Sequence, residues 1–354
     1  MRIALLIKKF DFGGAENHVC DLANTLEKHG HTVLILAGEG KQVIRLNPKI
    51  QYIHFRIREL VIPFQLFVLV YYILKNRIEI IHAHQRLPIF MACVIRLITG
   101  IPVVATVHGR TKYDLRSWFT RRCTSRIIFV SQKVQLYSGK YNELQKKTHF
   151  IPNGIYPKNL KVNMIPFRIT YISRLDKKHA EVVLMLIKQV IPELVNRFPD
   201  ISFQIIGTGD YYEQIKSEAF LLNSSDNERC TLPGYVHQLD DIISSSSIVL
   251  GVGRVALESL SLGISVLSVN INHLGDLIST ENYQHYRINN FVAVQHPKPK
   301  PDVFITLLTD FFSNQSYWHE HTVKLQQKVH QDFNLDKLVY EVEEVYSSLL
   351  QGKN

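Results

Sequence analysis

Three stretches of this 354-residue sequence place glycine, basic side chains and a carboxylate where a diphosphate ester could be held. In Gly251-Val-Gly253, followed by Arg254-Val-Ala-Leu-Glu258, an apolar run ends on glycines and a short helical segment begins. Gly251 and Gly253 let the backbone approach a phosphate, and the N–H groups of the helix start face it. Glu258 lies one turn on, on the face shared with Arg254. A carboxylate there can accept two hydrogen bonds from a ribose diol; the plain alternative is an Arg254–Glu258 surface pair. The second stretch is Ile172-Ser173-Arg174-Leu175-Asp176-Lys177-Lys178-His179. Cations clustered at the end of an apolar run can neutralise a departing nucleotide without a metal. The third, Gly13-Gly14-Ala15-Glu16, follows the apolar run Ile3–Ile7. It suits a close phosphate contact but lacks the full dinucleotide fingerprint, and a plain strand-to-helix turn also explains it.

Histidines form a further set. Val103–Val107 runs directly into His108-Gly109-Arg110. A histidine at the carboxyl end of a parallel strand points toward a binding crevice. His82 and His84 alternate in Ile81-His-Ala-His84. They suggest a metal pair, but no carboxylate stands nearby, and packing within the fold is the preferred reading.

These residues need a scaffold of alternating strands and helices. Strands are expected at Ile3–Ile7, Val33–Ala37, Tyr52–Phe55, Ile78–His82, Val103–Val107 and Ile127–Val130. Helices are expected near Ala15–His29, Phe64–Lys75, Leu87–Leu97 and Leu115–Cys123. Strands apolar along their length are buried on both faces, which implies a parallel sheet covered by helices. A turn at Pro152-Asn153-Gly154 ends this series. A second begins with strands at Arg168–Ile172, Ile201–Ile206, Ser245–Leu250 and Ser265–Val269, and helices near Val182–Asn196, Tyr211–Leu222 and Arg254–Leu262. The tail from Val303 to Leu350 reads as about three helices. The fold class is therefore α/β, with two Rossmann-like domains facing across a cleft. The domains are expected at 1–160 and 161–334.

Composition narrows the class. An apolar fraction of 46% lets both halves bury a core, and no low-complexity stretch argues for disorder. The four cysteines, Cys20, Cys93, Cys123 and Cys230, show no C-x-x-C spacing and read as buried thiols. The apolar run at the N-terminus is too short for a signal peptide, and Val61–Leu74 too short for a membrane span, so a cytoplasmic chain is expected. The net charge of +10 is uneven: residues 1–160 carry about +15 and the remainder about −5. Arg110, Lys112, Arg116, Arg121, Arg122 and Arg126 are the densest cluster. Such asymmetry suits a nucleic acid or an anionic bilayer, or is simply a solvated helix face.

Together the motifs resemble the family 4 retaining glycosyltransferases of the GT-B fold. The matches run in order: the Gly13–Glu16 loop, Ile80–His84, Thr106-Val-His108, Val130-Ser131 and Pro152-Asn153-Gly154. Ser173-Arg174-Leu175, Gly207-Thr-Gly209, Pro233-Gly234-Tyr235-Val236 and Leu257–Gly263 complete them. The tail, Phe333 to Lys337 with Tyr346, is similar to the family's closing helix, which implies that about 335–354 cross back to the first domain. The resemblance implies a hexosyltransferase that takes a UDP- or GDP-linked sugar and retains anomeric configuration, with no cofactor or metal. Arg174 with Lys178 or His179 would hold the diphosphate. The backbone around Gly234, Tyr235 and Val236 would meet the base, and Glu258 the ribose. Gly13 and Gly14 would close over the phosphates, and His108 would line the acceptor side. Arg174, Lys178 and His108 would carry the transfer.

The acceptor implied is a lipid-linked or polysaccharide one, in synthesis of a bacterial surface polysaccharide such as lipopolysaccharide, O-antigen or capsule. No nucleic acid is then required. The basic first half would meet the inner face of the membrane, with Val61–Leu74, flanked by Arg56, Arg58, Lys75 and Arg77, as an amphipathic contact or as a helix packed on the sheet. Two positions depart from the family pattern. Leu250 stands where the first acidic residue of E-x7-E contacts the donor sugar, and His179 stands where a lysine is usual. These motivate one alternative, a catalytically weak binding partner of a synthase complex. Others are a sugar-nucleotide epimerase, which needs a carboxylate pair not found here, and a nicotinamide oxidoreductase, disfavoured by the incomplete fingerprint.

Overall fold

The computed structural model describes residues 1–11, 13–55, 62–109, 111–158, 160, 162–223, 228–236 and 238–351. Arg56, Arg58, Val61 and Arg110 lie outside them. The chain forms two compact units, Met1–Tyr156 with Phe333–Asn354, and Pro157–Asp332.

The first unit is built on seven parallel strands: β1 (Arg2–Ile7), β2 (Thr32–Ala37), β3 (Gln51–His54), β4 (Ile80–His84), β5 (Val103–Val107), β6 (Arg126–Phe129) and β7 (Thr148–Phe150). Their spatial order is β3-β2-β1-β4-β5-β6-β7. Connections from β1 run one way across the sheet and those from β4 the other, so order reverses between β1 and β4. One face of the sheet, with Ile3, Leu5 and Ile7, is covered by the helices Gly14–Lys28 and Leu335–Gln351. The other, with Ala4, Leu6 and Ala83, packs on the helices Ile62–Lys75 and Arg86–Thr99. Burial on both faces explains why these strands read as continuous apolar runs.

The second unit has six strands: β8 (Arg168–Ile172), β9 (Ser202–Ile206), β10 (Cys230–Gly234), β11 (Ile248–Gly251), β12 (Ser265–Val269) and β13 (Leu274–Leu277). Their order is β10-β9-β8-β11-β12-β13, and only β13 is antiparallel to its neighbour. Here the order reverses between β8 and β11.

Several elements differ from the sequence expectation. β4 spans Ile80–His84, two residues beyond Ile78–His82, so both histidines lie within the strand. The segment Leu115–Cys123 is not one helix. A first turn ends at Asp114, and Ser117 starts a new helix by accepting a hydrogen bond from Thr120 N–H at 3.0 Å. The helix expected over Val182–Asn196 begins earlier, at Lys177, because Asp176 caps it, and a π-helical turn at Leu186–Val190 interrupts it. The strand expected from Ser245 begins at Ile248, because a short helix runs to Ser244. The tail forms three helices, Pro301–Ser313, Gln315–Asp332 and Leu335–Gln351. Cys20, Cys93 and Cys230 are buried free thiols, whereas Cys123 is half-buried. Burial pushes Cys93 up to about 11 and Cys230 up to about 12. Among the described residues no helix is long and apolar enough to cross a membrane.

The last helix is held by its apolar face and by buried polar contacts. Leu338, Val339, Val342 and Val345 enter the core beside β1. Tyr346 is fully buried, and its hydroxyl lies 2.6 Å from His82 Nδ1. At the helix surface Glu343 meets His29 at 2.8 Å and His31 at 3.0 Å. Replacing Tyr346 by Phe leaves a buried imidazole nitrogen without its partner, a loss of about 1–3 kcal/mol. Tyr346→Phe therefore lowers the stability of the first unit to urea by that amount; an unchanged urea midpoint shows that the bond does not hold the helix.

Candidate functional site

Gly234, Tyr235 and Val236 lie at the end of the edge strand β10, whereas most residues singled out from the sequence lie at the two places where strand order reverses. In parallel sheets this is where a crevice opens outside the strand ends. Each unit therefore has one such place, and each carries different chemistry.

In the second unit, Arg174 follows β8, while Gly251 ends β11, its neighbour in the sheet, and Gly253 follows it. Arg174 and Lys178 are exposed. The loop that carries them is fixed by backbone contacts with the turn after β9. Leu175 N–H donates to Thr208 O, Ser173 N–H to Ile206 O, and Tyr211 N–H to Leu175 O. Gly207 has φ +143°, and a methyl group there would overlap the Ser173 carbonyl. Gly209 sits equally close to the Leu175 backbone. The Gly207-Thr-Gly209 motif is thus a packing device that sets the height of Arg174. Gly234, with φ +80°, ends β10, and its carbonyl accepts from Gly207 N–H at 2.9 Å. Tyr235 beside it is 41% exposed, so the edge that follows offers an aromatic face.

His179 is not a free cationic partner of Lys178. Its Nδ1 lies 2.9 Å from Asp176 Oδ1, the oxygen that also accepts from the N–H groups of Lys178 and His179. Burial raises the Asp176 carboxyl, but the His179 side chain and these two N–H groups outweigh it and leave it below its usual range. The imidazole thus reinforces a helix cap, and Arg174, Lys177 and Lys178 remain as exposed cations of the segment.

Gly253 has φ +61° and starts the helix Arg254–Ser261; its N–H donates to Asn290 O. Arg254 Nε donates to Glu258 Oε1 at 2.7 Å, with both side chains largely buried. The pair expected as the plain alternative is therefore present. It orients the carboxylate, which has lone pairs beyond those taken by one N–H. Leu250 is fully buried in the core with Tyr171 and Leu267, so it offers no polar contact.

In the first unit, Gly13 precedes the helix Gly14–Lys28 in extended backbone (φ 177°), where glycine is not required by conformation. A methyl there would displace Glu16 Oε2, the far end of a flexible side chain and not backbone. Glu16 Oε1 accepts from Gln85 Nε2 at 2.9 Å, which ties the helix start to the end of β4. His84 ends β4 and His108 follows β5. His84 Nδ1 lies 3.1 Å from His108 Nε2. His82 is bonded on both ring nitrogens, to Tyr346 at 2.6 Å and to Thr106 Oγ1 at 2.7 Å, and stacks on His84. Both histidines are fully buried, as the packing reading expects, and His82 in addition has both ring nitrogens bonded. Burial drives it down to about 3, with His108 adding to the effect. Burial likewise holds His84 and His108 well below the usual histidine range.

His18 completes this group: its ring lies 5.1 Å from His108 and 5.7 Å from His84. Sequence reading missed it. The available signal was its position one turn into the helix that starts at Gly14, above the end of β1. Asp114 was also missed; it accepts from Gly109 N–H at 3.4 Å. Burial raises its carboxyl, partly offset by the Gly109 and His108 N–H groups.

Known proteins share this fold. The family described as Glycosyltransferase Family 4 matches residues 12–159, and that described as Glycosyl transferases group 1 matches 166–299. The chain belongs to the family 4 glycosyltransferases of the GT-B fold. It is 23% identical over 308 residues to a subunit of the human phosphatidylinositol N-acetylglucosaminyltransferase, covering 76% of the chain. The aligned region spans about three-fifths of that relative, 61% of its length. Among solved structures, Anabaena Alr3699/HepE in complex with UDP-glucose has a TM-score of 0.77 at 16% identity, covering 98% of this chain and 100% of that one. A glycosyltransferase from Rickettsia africae has a TM-score of 0.75 at 18% identity, covering 99% and 98%.

The glycine contacts give a direct test of the scaffold. Gly207→Ala puts a methyl into the Ser173 carbonyl at a positive φ, and lowers the stability of the second unit by about 3 kcal/mol. Gly14→Ala meets nothing within 4 Å and leaves the first unit within about 0.5 kcal/mol. Denaturant unfolding of both variants checks the contrast; equal effects would refute the packing role of Gly207.

Proposed function

We propose that this chain transfers a hexose-type sugar from a nucleotide diphosphate donor to a lipid-linked or polysaccharide acceptor, with retention of anomeric configuration. One observation carries the reading. Exposed Arg174 and Lys178, on the segment that follows β8, stand beside the glycine-capped helix that follows β11, at the reversal of strand order. Two cations and a helix start are what a departing diphosphate needs. The UDP-glucose bound to the Anabaena protein of like fold supports a nucleotide-sugar donor.

In this mechanism Arg174 and Lys178 neutralise the charge that grows on the leaving phosphate. Glu258, oriented by Arg254, holds the ribose, and the backbone from Gly234 to Val236 meets the base. In this reading Gly13 and Gly14 are assigned to the phosphates and His108 to the acceptor. The leaving phosphate takes the acceptor's proton on the face it departs from, which keeps the configuration and needs no protein nucleophile. Transfer thus rests on positioning and leaving-group electrostatics, with no metal at the diphosphate. Because Leu250 cannot hydrogen-bond a sugar hydroxyl, recognition of the sugar falls to other groups.

The acceptor side is argued from the helix Ile62–Lys75. One face packs inward through Gln65, Leu69 and Ile73. Phe64, Phe67, Tyr71 and Leu74 recur at helical spacing on the other, each more than half exposed. Lys75 sits over the Tyr71 ring. An apolar stripe beside basic residues fits an anionic bilayer. The human relative is named for transfer to phosphatidylinositol, which supports a lipid acceptor. The setting proposed is bacterial surface polysaccharide synthesis at the inner face of the membrane.

Incubation with UDP-, GDP- and other activated sugars, with product stereochemistry read by NMR, tests the activity. Transfer or hydrolysis supports it, whereas tight binding without turnover indicates a binding partner and interconversion of nucleotide sugars an epimerase. Glu258→Ala reduces transfer by roughly 100-fold if the lost ribose bonds are worth about 3 kcal/mol; unchanged kinetics would remove the ribose assignment. Separately, Phe64→Ser/Phe67→Ser weakens co-sedimentation with phosphatidylglycerol vesicles by about 10-fold or more. Equal sedimentation of that variant rejects the helix as the membrane contact.

A further inference from the structure

We propose that His18, His84 and His108 form a binding site for a transition-metal ion of the zinc class. They come from three adjoining places on the sheet: the helix after β1, the end of β4 and the residue after β5. One ring nitrogen from each lies within 4.8 Å of the other two.

Distances fit ligation. Zinc binds imidazole nitrogen at about 2.0–2.1 Å, which sets tetrahedral ligand nitrogens about 3.3 Å apart. The pair His84 Nδ1 and His108 Nε2, at 3.1 Å, is already at that spacing. The widest separation must close by about 1.5 Å to reach it. His18 and His108 are half-buried, whereas His84 is enclosed in the core.

His84 is poorly satisfied where it stands: among the described residues its buried Nε2 has no hydrogen-bond partner, and its Nδ1 faces another imidazole nitrogen, His108 Nε2. His82, with both nitrogens bonded, is no ligand; stacked on His84, it fixes that ring. Three imidazoles without thiolate suit zinc, cobalt, nickel or copper over magnesium or calcium, which prefer oxygen. The half-exposed members leave one side open to water as a fourth ligand. This site is in the first unit and the diphosphate-binding residues are in the second, so its test is binding and not turnover.

The full chain, carrying no polyhistidine tag, is titrated with Co2+ and followed by visible absorption, then back-titrated with Zn2+. One equivalent with the ligand-field bands of four- or five-coordinate cobalt, displaced by Zn2+, is expected. His18→Ala weakens binding at least tenfold and abolishes the Zn2+-dependent rise in thermal midpoint. His319→Ala, an exposed histidine on the helix Gln315–Asp332, changes neither. If His18→Ala loses its circular-dichroism spectrum, His18→Gln replaces it in the same titration. Absence of the bands, or equal affinity in wild type and His18 variant, overturns the proposal.

Discussion

A parallel strand buried on both faces has one place for chemistry, its carboxyl end. Everything else along it must be apolar or be matched inside the core. That constraint sorts the whole chain. It explains why Arg174, Gly253, His84 and His108 all lie at or just past strand ends, and why the interior of each strand looks uninformative. It also explains the glycines at Gly207 and Gly209: to place a cation at a strand end, the loop bearing it must be clamped by the neighbouring loop's backbone.

The two units use the same geometry for different purposes. At the β8/β11 reversal, Arg174 and Lys178 stay exposed to solvent and carry permanent charge. At the β1/β4 reversal, His84 is enclosed and His18 and His108 are half-buried, and burial holds His84 and His108 well below the usual histidine range. Lone pairs and guanidinium groups do not serve the same ligand. A single fold repeated along a chain can therefore divide its labour by the depth at which each half buries its polar residues.

Much of this was legible in the sequence. The runs Ile3–Ile7, Val103–Val107 and Ser265–Val269 match β1, β5 and β12 closely, because two-sided burial leaves a plain apolar signature. The short outer strands β7, β10 and β13 were not legible: Thr148–Phe150 and Cys230–Gly234 have no such run. His82 lay beyond local reasoning, since the hydroxyl that satisfies it comes from Tyr346, 264 residues away. His18 is hidden in an amphipathic helix, where position and not residue type marks it. The Arg254–Glu258 pair was readable from i,i+4 spacing, but the capture of His179 by Asp176 competes with the role its neighbours suggested.

The interleaving of the first unit governs the order in which the protein can mature. Residues 1–156 cover one face of their sheet partly with Leu335, Leu338, Val342 and Tyr346. During synthesis that face waits, greasy and unfinished, while the ribosome makes the whole second unit, Pro157–Asp332. Nascent chains stalled before residue 335 thus carry an open apolar surface, the kind that chaperones hold and proteases find.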